Sequence, residues 1–318
     1  MERMTMFGVN VRLAIWAIAS LSVAVGGMPA AAQQTNLPAA TWTAIAEMGP
    51  TLNGELIRKS FTLIRPFQAP RTGLTETANI AYGTDPLQKL DIFNPQSSSG
   101  PAPVVVFVHG GGFTGGDKRG LENVPAYFAR HGFLGVTIDY RLAPAAHWPE
   151  QSLDLGSAIA WVRENAAHYG GAPDKVLLVG HSSGAAVVAS YLFDRSIDTP
   201  GDGVVGGVLI SGPYGYQAPG PRTRAYYARE DSMIAQHFPR AHVGEGKVPV
   251  LIVTAEFDPA PLGAESHDLA AALCVSGGKC PPFLSLGGHN HMTEVVGIDT
   301  GDDRLGSAIV DFVHAVVK

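Results

Sequence analysis

From residue 104 to the C-terminus, runs of consecutive apolar residues alternate with segments of helical periodicity. Strands that are apolar on both faces belong to parallel sheets buried between helices, because each crossover connection lays a helix over one face of the sheet. The sequence therefore predicts an α/β fold with a mostly parallel sheet and helices on both faces. The apolar runs are Val104–Val108, Phe133–Ile138, Val176–Val179, Val204–Ile210, Val250–Thr254 and Phe283–Leu286.

Two shorter alternating runs come before this pattern begins. Ile80–Tyr82 and Leu90–Phe93 are separated by a turn-rich segment, which predicts an antiparallel pair of strands. Residues 33–74 have weaker periodicity, and we interpret them as an N-terminal extension packed over the main domain at residues 75–318.

One connection within the main domain is unusually long. Residues 213–247 lie between two predicted strands and contain several prolines, clustered tyrosines and a helical pattern. Connections of this length are most often functional, so we predict a small helical cap over the functional site. The alternative is a surface insertion without a role.

The N-terminal segment, residues 1–32, has the three parts of a signal peptide. Arg3 and Arg12 supply a positive first region, and Leu13–Val25 is apolar but short for a membrane span. The small residues Ala30–Ala32 form a cleavage site. We therefore expect an exported protein, periplasmic or secreted, without stable membrane insertion after cleavage. A retained anchor and an ordinary buried helix are the alternatives.

Composition restricts the class of protein. The chain of 318 residues is 46% hydrophobic and 16% charged, as expected of a globular protein with an extensive core. A formal net charge of −6 and the lack of a basic stripe argue against nucleic acid as a partner.

The two cysteines, Cys274 and Cys280, are separated by a short segment that includes two glycines. In an exported protein they are expected to form a disulfide, with two free thiols as the alternative. A metal site would need further ligands nearby, and the sequence indicates none.

The most informative motif is Gly180–Gly184, with the sequence GHSSG, between the apolar run at 176–179 and a helical segment. In Gly-x-Ser-x-Gly a sharp turn between strand and helix exposes the serine hydroxyl, and glycines on either side avoid clashes. Ser182 is therefore the candidate nucleophile. The alternative is a purely structural role as the N-cap of the following helix. His181 is expected to hold its loop by hydrogen bonds, as is His109.

A second motif follows the strand predicted at 104–108. The segment His109–Phe113 has the sequence HGGGF, and a loop without side chains lets backbone N–H groups approach a developing oxyanion. Gly111 and Gly112 are the candidate donors, together with the amide of Ser183. A phosphate-binding loop is the alternative, but the lysine and Ser/Thr of a P-loop are missing.

These motifs resemble those of the α/β-hydrolase superfamily, from about Thr75 to the C-terminus. HGGGF, GHSSG and DYRLAP (Asp139–Pro144) are similar to hormone-sensitive-lipase-like carboxylesterases, whereas YGTDPLQKLDIFNP (Tyr82–Pro95) looks more like kynurenine formamidases and feruloyl-type esterases. The resemblance implies the α/β-hydrolase fold with an eight-stranded sheet, a Ser–Asp–His triad and no cofactor. The chain departs from the lipase-like pattern in lacking a second aspartate after Asp258.

The acid and the base are expected after the last two strands. Asp258 ends the run that begins at Val250 and is the predicted acid, with Glu256 as the alternative. Two histidines, His289 and His291, follow the last strand. In the families that the chain resembles, a bulky apolar residue follows the catalytic histidine, which favours His291, while His289 remains the alternative.

The sequence thus predicts a serine hydrolase that cleaves carboxylic esters of small molecules through an acyl-enzyme. Phe113 and Tyr214 are the candidate substrate-binding residues, although aromatic side chains also serve as core. An arylformamidase needs the same machinery and is one alternative. A catalytically inactive binding protein on the same fold is the other.

Overall fold

The strands form one mixed sheet that is parallel over most of its width. The computed structural model describes residues 36–96, 100–197, 201–215, 220–227, 234–244 and 248–317. The strands are β1 Glu76–Ala81, β2 Lys89–Phe93, β3 Ala102–Val108, β4 Leu134–Ile138, β5 Gly171–His181, β6 Val204–Ile210, β7 Val250–Phe257 and β8 Phe283–Asn290. They lie in one eight-stranded sheet with the order β1-β2-β4-β3-β5-β6-β7-β8.

Strand direction follows the pattern of apolar residues. β1 pairs antiparallel with β2, and β2 antiparallel with β4. All pairs from β4 across to β8 are parallel. The continuously apolar strands are buried on both faces, whereas the edge strand β1 is partly exposed along its length. The predicted mostly parallel α/β fold, with an antiparallel pair at its start, is confirmed.

The helices cover the two faces of this sheet and divide the core. Within the described residues the α-helices are α1 Ala39–Met48, α2 Gly54–Ile64, α3 Asn123–Arg130, α4 Glu150–Asn165, α5 Ser183–Phe193, α6 Pro221–Tyr227, α7 Ala260–Gly277, α8 Thr293–Val296 and α9 Arg304–Val316. One apolar cluster contains residues of β3, β5 and α5, and a second lies on the opposite side with residues of α3 and α9.

The N-terminal extension contributes to the second cluster. Ile45 of α1 and Ile64 of α2 are fully buried there, and Asn53 caps α2 by accepting hydrogen bonds from two backbone amides. Ser60 of α2 lies 3.3 Å from the Asn290 side chain at the end of β8. The extension therefore supports the loop that follows the last strand.

The two cysteines lie within the described residues, whereas the predicted signal peptide does not. Cys274, near the end of α7, is bonded to Cys280 before β8, as expected from the sequence. The predicted signal peptide, residues 1–32, lies outside the described residues. No helix in the described ranges combines the length and the apolar character needed to cross a membrane.

A buried lysine joins the loop after β3 to two other strands. Lys118 is 2% exposed, and its Nζ lies 3.2 Å from Asp91 on β2 and 3.6 Å from Asp139 after β4. Its ammonium also donates to Asn79 at 2.8 Å, and its backbone amide donates to Asp139 at 2.6 Å. Because buried carboxylates need compensation, this cluster fixes the end of the glycine-rich loop.

Replacing this lysine leaves two carboxylates without their cation. We expect K118M to lower the free energy of unfolding by about 3 kcal/mol, measured by urea denaturation. The matched control is K59M, which removes an exposed 2.8 Å pair with Glu55 and is expected to cost less than about 1 kcal/mol. Equal losses in the two variants would contradict the role assigned to Lys118.

Candidate active site

Ser182 lies in a strained turn between strand and helix. β5 ends at His181 and α5 begins at Ser183, so one residue makes the connection. Its backbone has φ 55° and ψ −128°, in a region that non-glycine residues rarely adopt. Such a conformation persists where the surrounding structure enforces it, and it matches the sharp turn that Gly-x-Ser-x-Gly predicts.

Close backbone packing enforces this turn. A Cβ atom added to Gly184 would lie 2.3 Å from the carbonyl oxygens of Val108 and His109, nearer than atoms can approach. The first turn of α5 is thus pressed against the end of β3. This contact holds Ser182 next to the glycine-rich loop that follows β3.

Ser182, His291 and Asp258 form a continuous hydrogen-bonded line. The Ser182 Oγ lies 2.9 Å from His291 Nε2, and His291 Nδ1 lies 2.9 Å from Asp258 Oδ1. Because a carboxylate accepts, Nδ1 carries the proton and Nε2 is free to accept the hydroxyl proton. The three side chains come from loops after β5, β8 and β7.

Several donors keep Asp258 ionised. Its second oxygen, Oδ2, accepts hydrogen bonds from the Ala255 amide at 2.8 Å, the Thr254 hydroxyl at 2.9 Å and the Ser211 hydroxyl at 2.6 Å. Burial alone would raise the pKa of Asp258, but the donors, with His291 first among them, outweigh burial and hold the pKa below its usual value. Asp258 is therefore the ionised member of the three hydrogen-bonded side chains.

His181 fixes the backbone of the loop that carries His291. Its Nε2 lies 2.8 Å from the carbonyl oxygen of His291, so Nε2 must donate. Burial, followed by the proximity of His291, lowers the pKa of His181 to about 3. His181 is thus a neutral donor, and the loop-holding hydrogen bond expected from the sequence is present.

The alternative base and acid have other partners. His289 Nε2 bonds to Asp302 at 2.7 Å and its Nδ1 lies 3.2 Å from the Thr293 hydroxyl, so both ring nitrogens are engaged away from Ser182. Glu256 is exposed and accepts a hydrogen bond from the Gly288 amide at 2.6 Å. The geometry therefore favours His291 and Asp258.

The glycine-rich loop lies directly against the serine. A Cβ atom added to Gly110 would be 2.7 Å from the Ser182 Cβ. Gly111 and Gly112 continue this loop, and the side chain of Arg222 on α6 lies over Gly112. The structure thus places the beginning of the glycine-rich loop next to Ser182, and the role of Gly111 and Gly112 as oxyanion donors stays a prediction. The Ser183 amide is also there, at the first residue of α5, where the helix dipole favours negative charge.

The candidate substrate-binding residues are both buried. Phe113 is 2% exposed and stacks on Tyr226 of α6 at 4.2 Å between ring centroids, while Tyr214 is fully buried. Part of the predicted cap therefore packs on the loop beside Ser182. That Phe113 and Tyr214 contact substrate stays a prediction, as does the role of the cap.

One cluster has the composition of a metal site. Among the described residues, His181, His291 and Glu294 offer ligand atoms within 4.8 Å of one another. Both nitrogens of His291 are already committed to Ser182 and Asp258, and His181 donates to a carbonyl oxygen. The cluster is therefore better explained as hydrogen-bonded support for the histidine than as a metal site.

Three supporting residues carry no signal in any motif: Ser211 after β6, Thr254 within β7 and Glu294 in α8. Ser211 has a positive φ of 49°, which a sequence does not reveal. Glu294 belongs to no motif either, but its position gives a partial signal, because a single acid next to the apolar residues Met292, Val295 and Val296 is unusual. An acid in an apolar helix either is paired or carries a proton.

Comparisons with known proteins find sequence similarity to esterases. The BD-FAE family model matches residues 90–198, which include both glycine-containing motifs. The probable isoprenylcysteine alpha-carbonyl methylesterase ICMEL1 of Arabidopsis thaliana is 34% identical over 125 residues, covering 39% of this chain and 26% of the plant protein. Esterase LipQ of Mycobacterium tuberculosis is 26% identical over 264 residues, covering 76% of this chain and 62% of that protein.

The structural comparison covers more of the chain. The crystal structure of esterase B from Lactobacillus rhamnosis matches with a TM-score of 0.69 at 15% identity, covering 87% of this chain and 95% of that one. At this identity the likeness concerns the fold. The sheet order, the strand–serine–helix turn and these similarities together show that the chain has the α/β-hydrolase fold and that its sequence resembles those of carboxylesterases.

Proposed function

We propose that this protein hydrolyses carboxylic esters of small molecules through an acyl-enzyme formed on Ser182. The observation that carries the proposal is the hydrogen-bonded line from the Ser182 hydroxyl through His291 to Asp258, with Gly110 packed against the serine. The named esterases among the similar proteins support the same class of reaction. A binding protein without activity would have no need of a strained serine hydrogen-bonded to an imidazole.

Acylation begins with transfer of one proton. As Ser182 Oγ bonds to the acyl carbon, His291 Nε2 takes the hydroxyl proton, and the negative charge moves to the carbonyl oxygen. When the bond from carbon to the alcohol oxygen breaks, the imidazolium returns that proton to the departing alcohol. The products of this half are a free alcohol and an ester of Ser182.

Deacylation repeats the sequence with water. His291 removes a proton from a water molecule as its oxygen attacks the acyl carbon, and then returns the proton to Ser182 Oγ as the acid leaves. Asp258 holds the imidazole by Nδ1 and stabilises the imidazolium in both halves. The amides of Gly111, Gly112 and Ser183 are the proposed oxyanion donors, and one such donor is worth about a hundredfold or more in rate.

An N-formyl amide could be cleaved by the same steps, with an amine in place of the alcohol. The arrangement of Ser182, His291 and Asp258 favours neither the ester bond nor the amide bond, so the two substrates must be compared directly. We further propose that the protein acts outside the cytoplasm. The disulfide between Cys274 and Cys280 supports this, because disulfides persist in oxidising compartments.

The first test addresses the reaction itself. We expect wild-type protein to hydrolyse short-chain p-nitrophenyl esters and to be labelled by a fluorophosphonate, and S182A to lose at least about a thousandfold in kcat/KM together with the label. N-formylkynurenine is assayed in parallel. Cleavage of the formamide without ester turnover would favour the formamidase, and a folded wild type that is neither active nor labelled would favour a binding protein.

The two histidines provide a matched pair. H291A is expected to lower kcat/KM by at least about a thousandfold because the general base is lost. H289A is expected to keep activity within about tenfold but to lower the free energy of unfolding by about 1–3 kcal/mol, because it removes a buried partner of Asp302. Activity is measured by ester hydrolysis and stability by urea denaturation. The reverse ranking of activities would make His289 the base.

The two acids form a second pair. D258N keeps the shape of the side chain but replaces a carboxylate that orients His291, and we expect kcat to fall by about 10⁴. E256Q retains an oxygen that can accept from the Gly288 amide and is expected to stay within about threefold of wild type. Steady-state ester kinetics of both variants decide the assignment. A larger loss in E256Q than in D258N would reverse it.

A further inference from the structure

Glu294 is a buried acid that the proposed reaction does not use. It lies in α8, three residues after His291, and is 1% exposed. Its neighbours in this helix, Val295 and Val296, are fully buried and apolar. A carboxylate in such a place is costly unless it is well paired, so its partners indicate its state.

The contacts of Ser211 require one proton on a carboxyl group. The Ser211 Oγ lies 2.6 Å from Asp258 Oδ2 and 3.0 Å from Glu294 Oε2. The hydroxyl has one hydrogen, so it can donate to one of these oxygens and must accept from the other. If both carboxyl groups were ionised, one contact would join two acceptors without a proton between them.

The donors around the two acids decide which one carries that proton. Asp258 accepts from His291, Thr254, the Ala255 amide and Ser211. Such a set stabilises an anion.

Among the described residues, Glu294 Oε1 accepts no hydrogen bond. His181 Nε2 lies 3.3 Å from Oε1, but the proton of that nitrogen points to the His291 carbonyl oxygen. Burial, and then the negative charge of Asp258, raises the pKa of Glu294 well above its usual value. The proton therefore lies on Glu294.

We propose that Glu294 is a positioning residue that works as a neutral acid: its Oε2–H donates to Ser211, and the Ser211 hydroxyl donates to Asp258. This inference rests on the proposed function, because it concerns the acid of the proposed triad. Glu294 thereby holds the Ser211 hydroxyl in the one orientation that serves Asp258, without touching substrate.

Neutrality also matters for His291. Glu294 Oε1 lies 3.9 Å from His291 Nδ1, close enough for a charge there to favour the imidazolium strongly. An imidazolium cannot accept the Ser182 proton, so a charged Glu294 would shift the acidic limb of the pH–rate profile to higher pH. The other groups that face Glu294 are neutral His181, ionised Asp258 and Tyr214, whose pKa is raised mainly by burial.

Two variants of Glu294 distinguish a role as a neutral hydrogen-bond donor from a role as a charged carboxylate. E294Q keeps a donor to Ser211 and carries no charge, so we expect kcat within about threefold of wild type and an unchanged acidic midpoint of kcat/KM against pH. E294M has no donor and is expected to lower kcat by about tenfold with little change in KM. Turnover is expressed per active site titrated with a fluorophosphonate, so that misfolded protein is not counted.

A double variant tests whether Glu294 acts through Ser211. In an S211A background, E294M is expected to change kcat by less than about twofold, because the residue that receives its hydrogen bond is gone. The proposal is overturned if the two losses are additive. It is also overturned if E294Q is as impaired as E294M, or if the acidic midpoint of E294Q falls by about one pH unit or more.

An infrared measurement does not depend on catalysis. The difference spectrum of wild type minus E294Q should contain the carbonyl stretch of a protonated carboxyl group at neutral pH, and its absence overturns the proposal even if the ester assay succeeds. If the stretch is present but no ester is hydrolysed, the proposed function fails while the proton on Glu294 stands. The infrared spectrum and the E294Q profile also remain decisive if E294M does not fold.

Discussion

The first turn of α5 is pressed against the end of β3, and the rest of the site depends on this contact. At Gly184 the two backbones approach so closely that a single added carbon would collide with two carbonyl oxygens. The chain can make this approach because glycines stand two residues before and two residues after Ser182, at positions 180 and 184. The result is a serine in a strained conformation, held where the glycine-rich loop after β3 and the loop carrying His291 both reach it.

The parallel sheet explains why residues far apart in sequence meet at this point. Ser182, Asp258 and His291 all follow the carboxyl ends of parallel strands, and these ends lie along one edge of the sheet. Packing brings them near each other, and hydrogen bonds then set their angles. His181 holds the His291 backbone while Asp258 holds its ring, so the imidazole is fixed from both sides.

Of the two carboxyl groups near the His291 imidazole, only that of Asp258 is ionised. Asp258 has enough donors to remain ionised in a buried place, whereas Glu294 has too few and keeps its proton. This difference follows from the neighbours and not from the residue type, because both are carboxylic acids of similar intrinsic acidity. In the proposed reaction, this single negative charge stabilises the imidazolium that forms on His291.

The sequence by itself determined the fold class and pointed to the candidate nucleophile and the candidate acid. Apolar runs that alternate with helical patterns define a buried parallel sheet, and Ser182 and Asp258 stand where that sheet exposes its strand ends. For the base, the family resemblance favoured His291, but spacing in the sequence did not separate it from His289. The tertiary structure separates the two by their partners, because His291 bonds to Ser182 and His289 bonds to Asp302. It also brought in Ser211 and Glu294, since a proton shared between distant loops leaves no local pattern in the chain.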